Sequence, residues 1–169
     1  MVMWNFEERE GKGGSSREKK RYTPFEMATI VERMSAFNTS KSPRDYGSGE
    51  YFNPVEVHMA SYIADNPGIS ATTVARDWNR TKGAVSQIIK KLEEKGVICR
   101  EKEQGNDKTI CLYVTEKGAR LDELHREYDT RNYERFLDVL ENYFSEEDIQ
   151  KTFAVLDAWI ELSMNWEPS

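Results

Sequence analysis

Apolar positions recur along this chain at helical spacing, interrupted by short polar stretches that carry their own start and stop signals. Thr23-Pro24-Phe25-Glu26 supplies a capping residue, a proline for the first helical position and a glutamate placed to reach back, so a helix begins there. Met27, Ile30, Val31, Met34 and Phe37 then form one stripe. Asn38 to Tyr51, with Pro43, Gly47 and Gly49, reads as a loop. Asn53-Pro54-Val55-Glu56 repeats the start signal, Val55, Met59, Tyr62 and Ile63 supply a buried face, and Asn66-Pro67-Gly68 ends it. Ser70 caps a short helix to about Trp78, and Thr81 caps another that runs to Lys95 and stops at Gly96. Residues 97–100 and 109–114 favour strands and flank the polar Gln104-Gly105-Asn106, the pattern of a hairpin. Thr115 caps a long helix over about 116–143, and Ser145 opens a last one with Ile149, Phe153, Leu156 and Ile160 on one side. The predicted order is four helices, a hairpin and two helices, a mainly α fold with a small β-hairpin wing.

The segment from Ala71 to Leu92 has the spacing of a helix-turn-helix. Counting Ala71 as the first position, Ala75 is the fifth, where the two helices cross and a small side chain is needed. Asn79 is the ninth, where the turn needs a residue that tolerates φ > 0. Val85, Ile88, Ile89 and Leu92 form the inward stripe of the second helix. Its other face is short, amide or basic (Thr81, Lys82, Gly83, Ser86, Gln87, Lys90 and Lys91), with no acid before Glu93. Such a helix suits the major groove of DNA, with small and amide groups for base edges and cations for phosphates. A helix-turn-helix followed by a two-stranded wing is a DNA-reading unit.

Charge changes the picture only when it is divided along the chain. The 169 residues hold 24 Lys and Arg against 30 Asp and Glu, a net charge of −6 that alone argues against a nucleic-acid binder. From Arg76 to Lys108, however, nine cations face six acids, an excess of three, so the remainder carries −9. Local sign governs counterion release at a contact, and an excess of three suits moderate, salt-sensitive affinity from two copies of the site.

Three blocks carry a resemblance: Arg80-Thr81-Lys82-Gly83-Ala84-Val85-Ser86-Gln87, Leu92-Glu93-Glu94-Lys95-Gly96-Val97-Ile98, and Leu112-Tyr113-Val114-Thr115-Glu116-Lys117-Gly118. On these, residues 22 to about 163 resemble a regulator of the multiple antibiotic resistance regulator (MarR) family. The resemblance implies a winged helix-turn-helix with N- and C-terminal dimerisation helices, acting as a homodimer on a pseudo-palindromic operator in double-stranded DNA, more often as repressor than activator. It implies DNA contacts from Arg80, Thr81, Lys82, Gly83, Ser86, Gln87, Lys90 and Lys91, and from a wing tip of Gly105, Asn106 and Asp107 with Lys108. The family commonly carries Asp-x-Arg at that tip. Asn106 and Lys108 occupy those slots here, so the cation remains but the planar guanidinium fork does not. Family members often bind small aromatic anions as effectors; Tyr51, Phe52 and Tyr62 would either line such a pocket or pack the core.

Dimerisation also has a warrant in the residues. A helix of this length spans roughly 40 Å, more than a winged helix covers, and it carries Phe136 and Leu140 besides Leu121, Leu124, Tyr128, Leu137, Tyr143 and Phe144. The last helix adds Phe153, Leu156, Trp159 and Ile160, and the first offers Met27, Ile30 and Met34. The alternative is an intramolecular bundle. The chain thus divides into a mobile arm (1–21), a dimerisation helix and loop (22–52), the winged helix-turn-helix (53–115) and C-terminal dimerisation helices (116–169).

Other chemistry is sparse. If the hairpin turns about Gly105, Ile98 opposes Leu112 on the core face and Cys99 opposes Cys111 on the other. Two opposed thiols would make either a redox sensor or, more simply, a pair of small residues on one face. His125, among Asp122, Glu123 and Glu127, reads as a surface histidine, with a weak metal site as the alternative; no metal motif and no cofactor loop is present. Nor does any nucleophile, base and acid arrangement suggest an enzyme. No apolar run approaches the length of about 18 residues needed for a membrane span, and the first residues lack a signal peptide's apolar core, so a cytoplasmic protein is expected. The competing reading is a winged-helix module that binds protein and not DNA.

Overall fold

A computed structural model describes the backbone of residues 21–39, 41–103 and 106–166, and the side chains of all these but 38, 39, 103 and 106–109. The elements in order are α1 (Pro24–Thr39), β1 (Arg44–Asp45), β2 (Tyr51–Phe52), α2 (Pro54–Asp65), α3 (Ala71–Asp77), α4 (Lys82–Glu94), β3 (Ile98–Glu103), β4 (Asn106–Val114), α5 (Glu116–Glu141) and α6 (Glu146–Met164). The expected arm, Arg21 apart, lies outside the described residues.

Helix starts follow from local chemistry. The Thr23 backbone N–H donates to the Glu26 carboxylate at 2.9 Å, closing α1's first turn. The hydroxyls of Ser70, Thr81, Thr115 and Ser145 each accept a backbone N–H three residues on, at 3.1–3.2 Å. The turn between α3 and α4 holds Asn79 at φ 48°, and Gly96 at φ 67° releases the chain from α4 into the wing.

The core is assembled from α2, α3, α4, the root of the wing and the first turns of α5. Val57, Met59, Ile63, Val74, Val85, Ile89, Leu92, Val97 and Leu112 are fully buried in it, with Phe52 and Leu121 closing its ends. Gly118 sits where α5 crosses β3. A Cβ there would lie 2.0 Å from the Val97 carbonyl oxygen, so only glycine lets the two backbones approach this closely.

Two expectations are corrected. The stretch expected as loop contains β1 and β2, which pair antiparallel as Arg44 with Phe52 and Asp45 with Tyr51. Arg44 also donates a hydrogen bond to the Tyr128 hydroxyl, which ties this small ribbon to α5. The wing strands are longer than expected and differ in register: Ile98 opposes Val114, Cys99 opposes Tyr113, Arg100 opposes Leu112 and Glu101 opposes Cys111. The cause is a bulge at Lys102/Glu103, beyond which Glu103 pairs with Asn106, so extra residues sit on β4. Cys99 and Cys111 still share a face, as diagonal rather than opposed neighbours, and both thiols are free. Leu112 also exchanges backbone hydrogen bonds of 2.9 Å with Gly68 and Ile69, which fixes the wing root to the α2–α3 loop.

The terminal helices contrast with this core. Among the described residues, α1 and α6 pack only sparsely on the rest of the chain. Met27, Ile30, Met34, Phe153, Trp159 and Ile160 are all exposed, as is Phe136 on α5, while Leu140 and Leu156 are half-buried. No described helix is long and apolar enough to cross a membrane.

Candidate nucleic-acid interface

The interface is built by α3, the turn at Asn79 and α4. Val85, Ile89 and Leu92 bury one face of α4, with Ile88 half-buried beside them. Helical geometry then turns Lys82, Gly83, Ser86, Gln87 and Lys90 outward, and all five are exposed. Arg80 and Thr81 are exposed at the helix entrance. Seven of the sequence-predicted residues, Arg80, Thr81, Lys82, Gly83, Ser86, Gln87 and Lys90, are therefore brought together on one surface, and α4's own N-terminal N–H groups open onto it.

Ion pairs divide the cations of that surface. Arg76 is bound to Asp77 at 2.8 Å, Lys90 lies 3.7 Å from Glu94, and Arg100 reaches Glu93 at 2.9 Å. Among the described residues Arg80 and Lys82 make no ion pair, so the most available positive charge sits at the entrance to α4. Asp77 on α3 and Glu161 on α6 are the acids lining a hollow at this entrance among the described residues. Arg76 and the Tyr62 hydroxyl, which donates to Asp77 at 2.7 Å, hold the Asp77 carboxyl below the usual range.

Two of the expected contact residues have other employment. The Thr81 hydroxyl accepts the Ala84 N–H, so its acceptor capacity is partly used in holding the helix start. Lys91 leans towards Glu56 of α2, with Nζ 3.9 Å from the carboxylate. Sequence reasoning missed Glu56 as an organiser of this surface. It is buried, it accepts Lys95 Nζ at 2.9 Å, and it also accepts the Asn53 backbone N–H at 3.1 Å. Burial alone would push this carboxyl up, but the bonds from Lys95 and Asn53 hold it below the usual range. Its position three residues after Asn53 was the available signal, but that signal pointed to the helix start rather than to α4. Of the wing, Gly105 lies outside the described residues, and the side chains of Asn106, Asp107 and Lys108 are likewise not described.

The aromatic trio does not line one pocket. Phe52 is in the core, Tyr51 points to solvent and Tyr62 is half-buried against Trp78. A hollow of about 740 Å³ instead lies between the α3–α4 turn and the C-terminal end of α6, with Arg76, Arg80 and Lys82 on one side and Glu161 and Met164 on the other. His125 is corrected from surface to buried. α5 lays it against α2, with the Tyr46 ring packed edge-on at 5.3 Å, and burial pushes its imidazole below the ordinary value against the pull of Asp129. Its Nδ1 lies 3.1 Å from the Ser61 hydroxyl, and His58 and Asp129 stand beside its other nitrogen.

Residues 52–108 match the model of the MarR family. An HTH-type transcriptional regulator of Bacillus subtilis, YhjH, whose own role is uncharacterized, is 33% identical over 103 residues. That match takes in 61% of this chain, and the chain spans 59% of that relative's length. Among solved structures, Streptococcus pneumoniae FabT in complex with DNA superposes with a TM-score of 0.61 at 20% identity, covering 83% of this chain and 94% of FabT. The S. aureus MepR–DNA complex gives 0.62 at 19% identity, covering 83% and 98%. At those identities the likeness establishes the winged-helix fold. The matched family and relatives are transcriptional regulators, not enzymes.

Proposed function

We propose that this chain, whose residues 52–108 match the model of the MarR family, is a transcriptional regulator that binds double-stranded DNA through α4 as a homodimer. The observation that carries this reading is the outward face of α4, where Lys82, Gly83, Ser86, Gln87 and Lys90 are exposed together and, with Arg80, leave unpaired cations at the helix's N-terminus. A helix of this kind seats its first turns on base edges, and the flanking cations meet phosphates. The same fold is found on DNA in FabT and MepR.

Two copies give the affinity that one modest excess of charge does not. The exposed apolar residues of α1 and α6, Met27, Ile30 and Met34 with Phe153, Trp159 and Ile160, are the surfaces that would join them, so that two recognition helices read successive major grooves of a pseudo-palindromic site. Family habit makes the action repression. Release by a small anionic effector would have a natural seat in the hollow beside Arg76, Arg80 and Lys82, because a ligand there touches both the reading head and α6.

Salt-dependent binding tests this reading. The intact protein should lose affinity for sites selected from a random DNA pool steeply with salt. Lys82→Ala should lower the slope of log K against log[salt] by about 0.9 for each copy that loses its phosphate contact. Failure to bind any DNA at low salt would remove the reading in favour of a protein-binding module.

A further inference from the structure

The packing of α2 on α5 brings together three side chains that the DNA-binding surface does not use. His125 and Asp129 are one helical turn apart on α5, and His58 faces them from α2. His125 Nε2 is 3.1 Å from Asp129 Oδ2, and His58 Nε2 is 4.0 Å from that same oxygen. The two imidazole rings stand 4.6 Å apart at 80°. One donor atom from each of the three residues lies within 4.8 Å of the others.

One member of this cluster is unfinished. The His125 side chain is only 5% exposed, yet its buried Nε2 makes no hydrogen bond, despite the nearness of Asp129. A buried polar atom left without a partner is destabilising, so it calls for an occupant. Its other nitrogen indicates which. Nδ1 meets the Ser61 hydroxyl at 3.1 Å, and if Nδ1 carries the proton, Nε2 is left with a free lone pair on the side of the ring where Asp129 stands, with His58 close by. Metal-binding histidines are oriented in this way, by a polar group on the far nitrogen.

We propose that His58, His125 and Asp129 form a site for one divalent transition ion of the zinc type, bound by two imidazole nitrogens and one carboxylate oxygen. Magnesium and calcium prefer oxygen donors throughout, which sets two imidazoles against them. Donor atoms around a tetrahedral zinc lie roughly 3.3 Å apart, from bond lengths of about 2.0 Å. The two separations from Asp129 Oδ2, 3.1 and 4.0 Å, bracket that spacing and the two histidine donors lie within 4.8 Å, so closure needs side-chain rotation by the exposed His58. A water completes the fourth position. The ion ties α2 of the reading head to α5, and the site stands whether or not the chain binds DNA.

Zinc titration of the full chain, stripped with chelator and followed by calorimetry, tests the site. One zinc per chain is expected. His58→Ala and Asp129→Asn should each weaken it by tenfold or more, and Ser61→Ala by about tenfold through the orientation of His125. His58 is exposed and Asp129 half-buried, so both variants should fold, whereas His125→Gln risks the core. Cobalt(II) in place of zinc should give the visible bands of a four-coordinate nitrogen and oxygen site, lost in His58→Ala. Absence of binding, equal affinity in the His58 and Asp129 variants, or a cobalt–thiolate band that places the ion at Cys99 or Cys111 would each overturn the proposal.

Discussion

The winged helix and the terminal helices dispose of apolar side chains in opposite ways. In the first, Val57, Met59, Ile63, Val85, Ile89 and Leu92 vanish into one core, and the outward face is left polar and basic. In the second, Ile30, Phe37, Phe153, Trp159, Ile160 and Leu162 stand in solvent between 44% and 69% exposed. Exposed apolar surface of this extent commonly marks an interface, so under the proposed homodimer one region is complete alone and the other is completed by a second copy. Stability and assembly should therefore separate under mutation.

The largest effect is expected where the finished region is tightest. Gly118→Ala forces a methyl group against the Val97 carbonyl, at the junction that also holds the Thr115 hydroxyl 2.7 Å from the Gly96 carbonyl and the Thr115 N–H 3.0 Å from that of Val97. Backbone must move, and denaturant unfolding should show a loss of about 3 kcal/mol or more. A loss under about 1 kcal/mol would mean that α5 is free to shift on the wing, and the region would not be the rigid unit described.

Trp159→Asp probes the unfinished region. The side chain is 44% exposed and belongs to no core, so the folded winged helix should survive. Association should suffer, since a central aromatic at an interface is commonly worth about 2 kcal/mol or more, roughly a thirtyfold change. Sedimentation should show monomer at concentrations where the parent is dimeric, and thermal unfolding should lose its dependence on concentration. A parent that sediments as a monomer would break the comparison at its root.

Legibility in the sequence divides along similar lines. Helix starts were readable because their chemistry is local: Ser70, Thr81, Thr115 and Ser145 cap a turn within three residues of themselves. Asn79 was readable because few residues other than glycine accept its backbone angle. What depends on long-range packing was hidden. His125 lies in a charged stretch of α5, and neighbours distant in the chain, among them Tyr46 and Ser61, 79 and 64 residues away, make its position a buried one. The wing bulge escaped because residues of similar β-propensity support more than one register, and the Cys99–Cys111 pairing went with it. The polar, outward face of α4 was legible, but which of its cations are already engaged was not. Glu56, which holds Lys95 and draws in Lys91, acts from another helix.

The smallest expected change is also the most discriminating. Gly83 resembles Gly118 in sequence context, since each occupies the first turn of a helix capped by threonine. Their surroundings differ completely: a Cβ on Gly83 would meet nothing within 4 Å, against the 2.0 Å found at Gly118. Packing therefore gives no reason for glycine at 83. Helix propensity argues against it, and Gly83→Ala should stabilise the fold by about 0.5–1 kcal/mol. If the bare backbone at 83 exists to let DNA approach the N-terminus of α4, the same substitution should weaken DNA binding while raising the unfolding midpoint. Stability and affinity moving in opposite directions would mark residue 83 as a contact chosen for the duplex. If both rise together or affinity stays unchanged, the contact surface moves away from the helix entrance towards Ser86, Gln87 and Lys90.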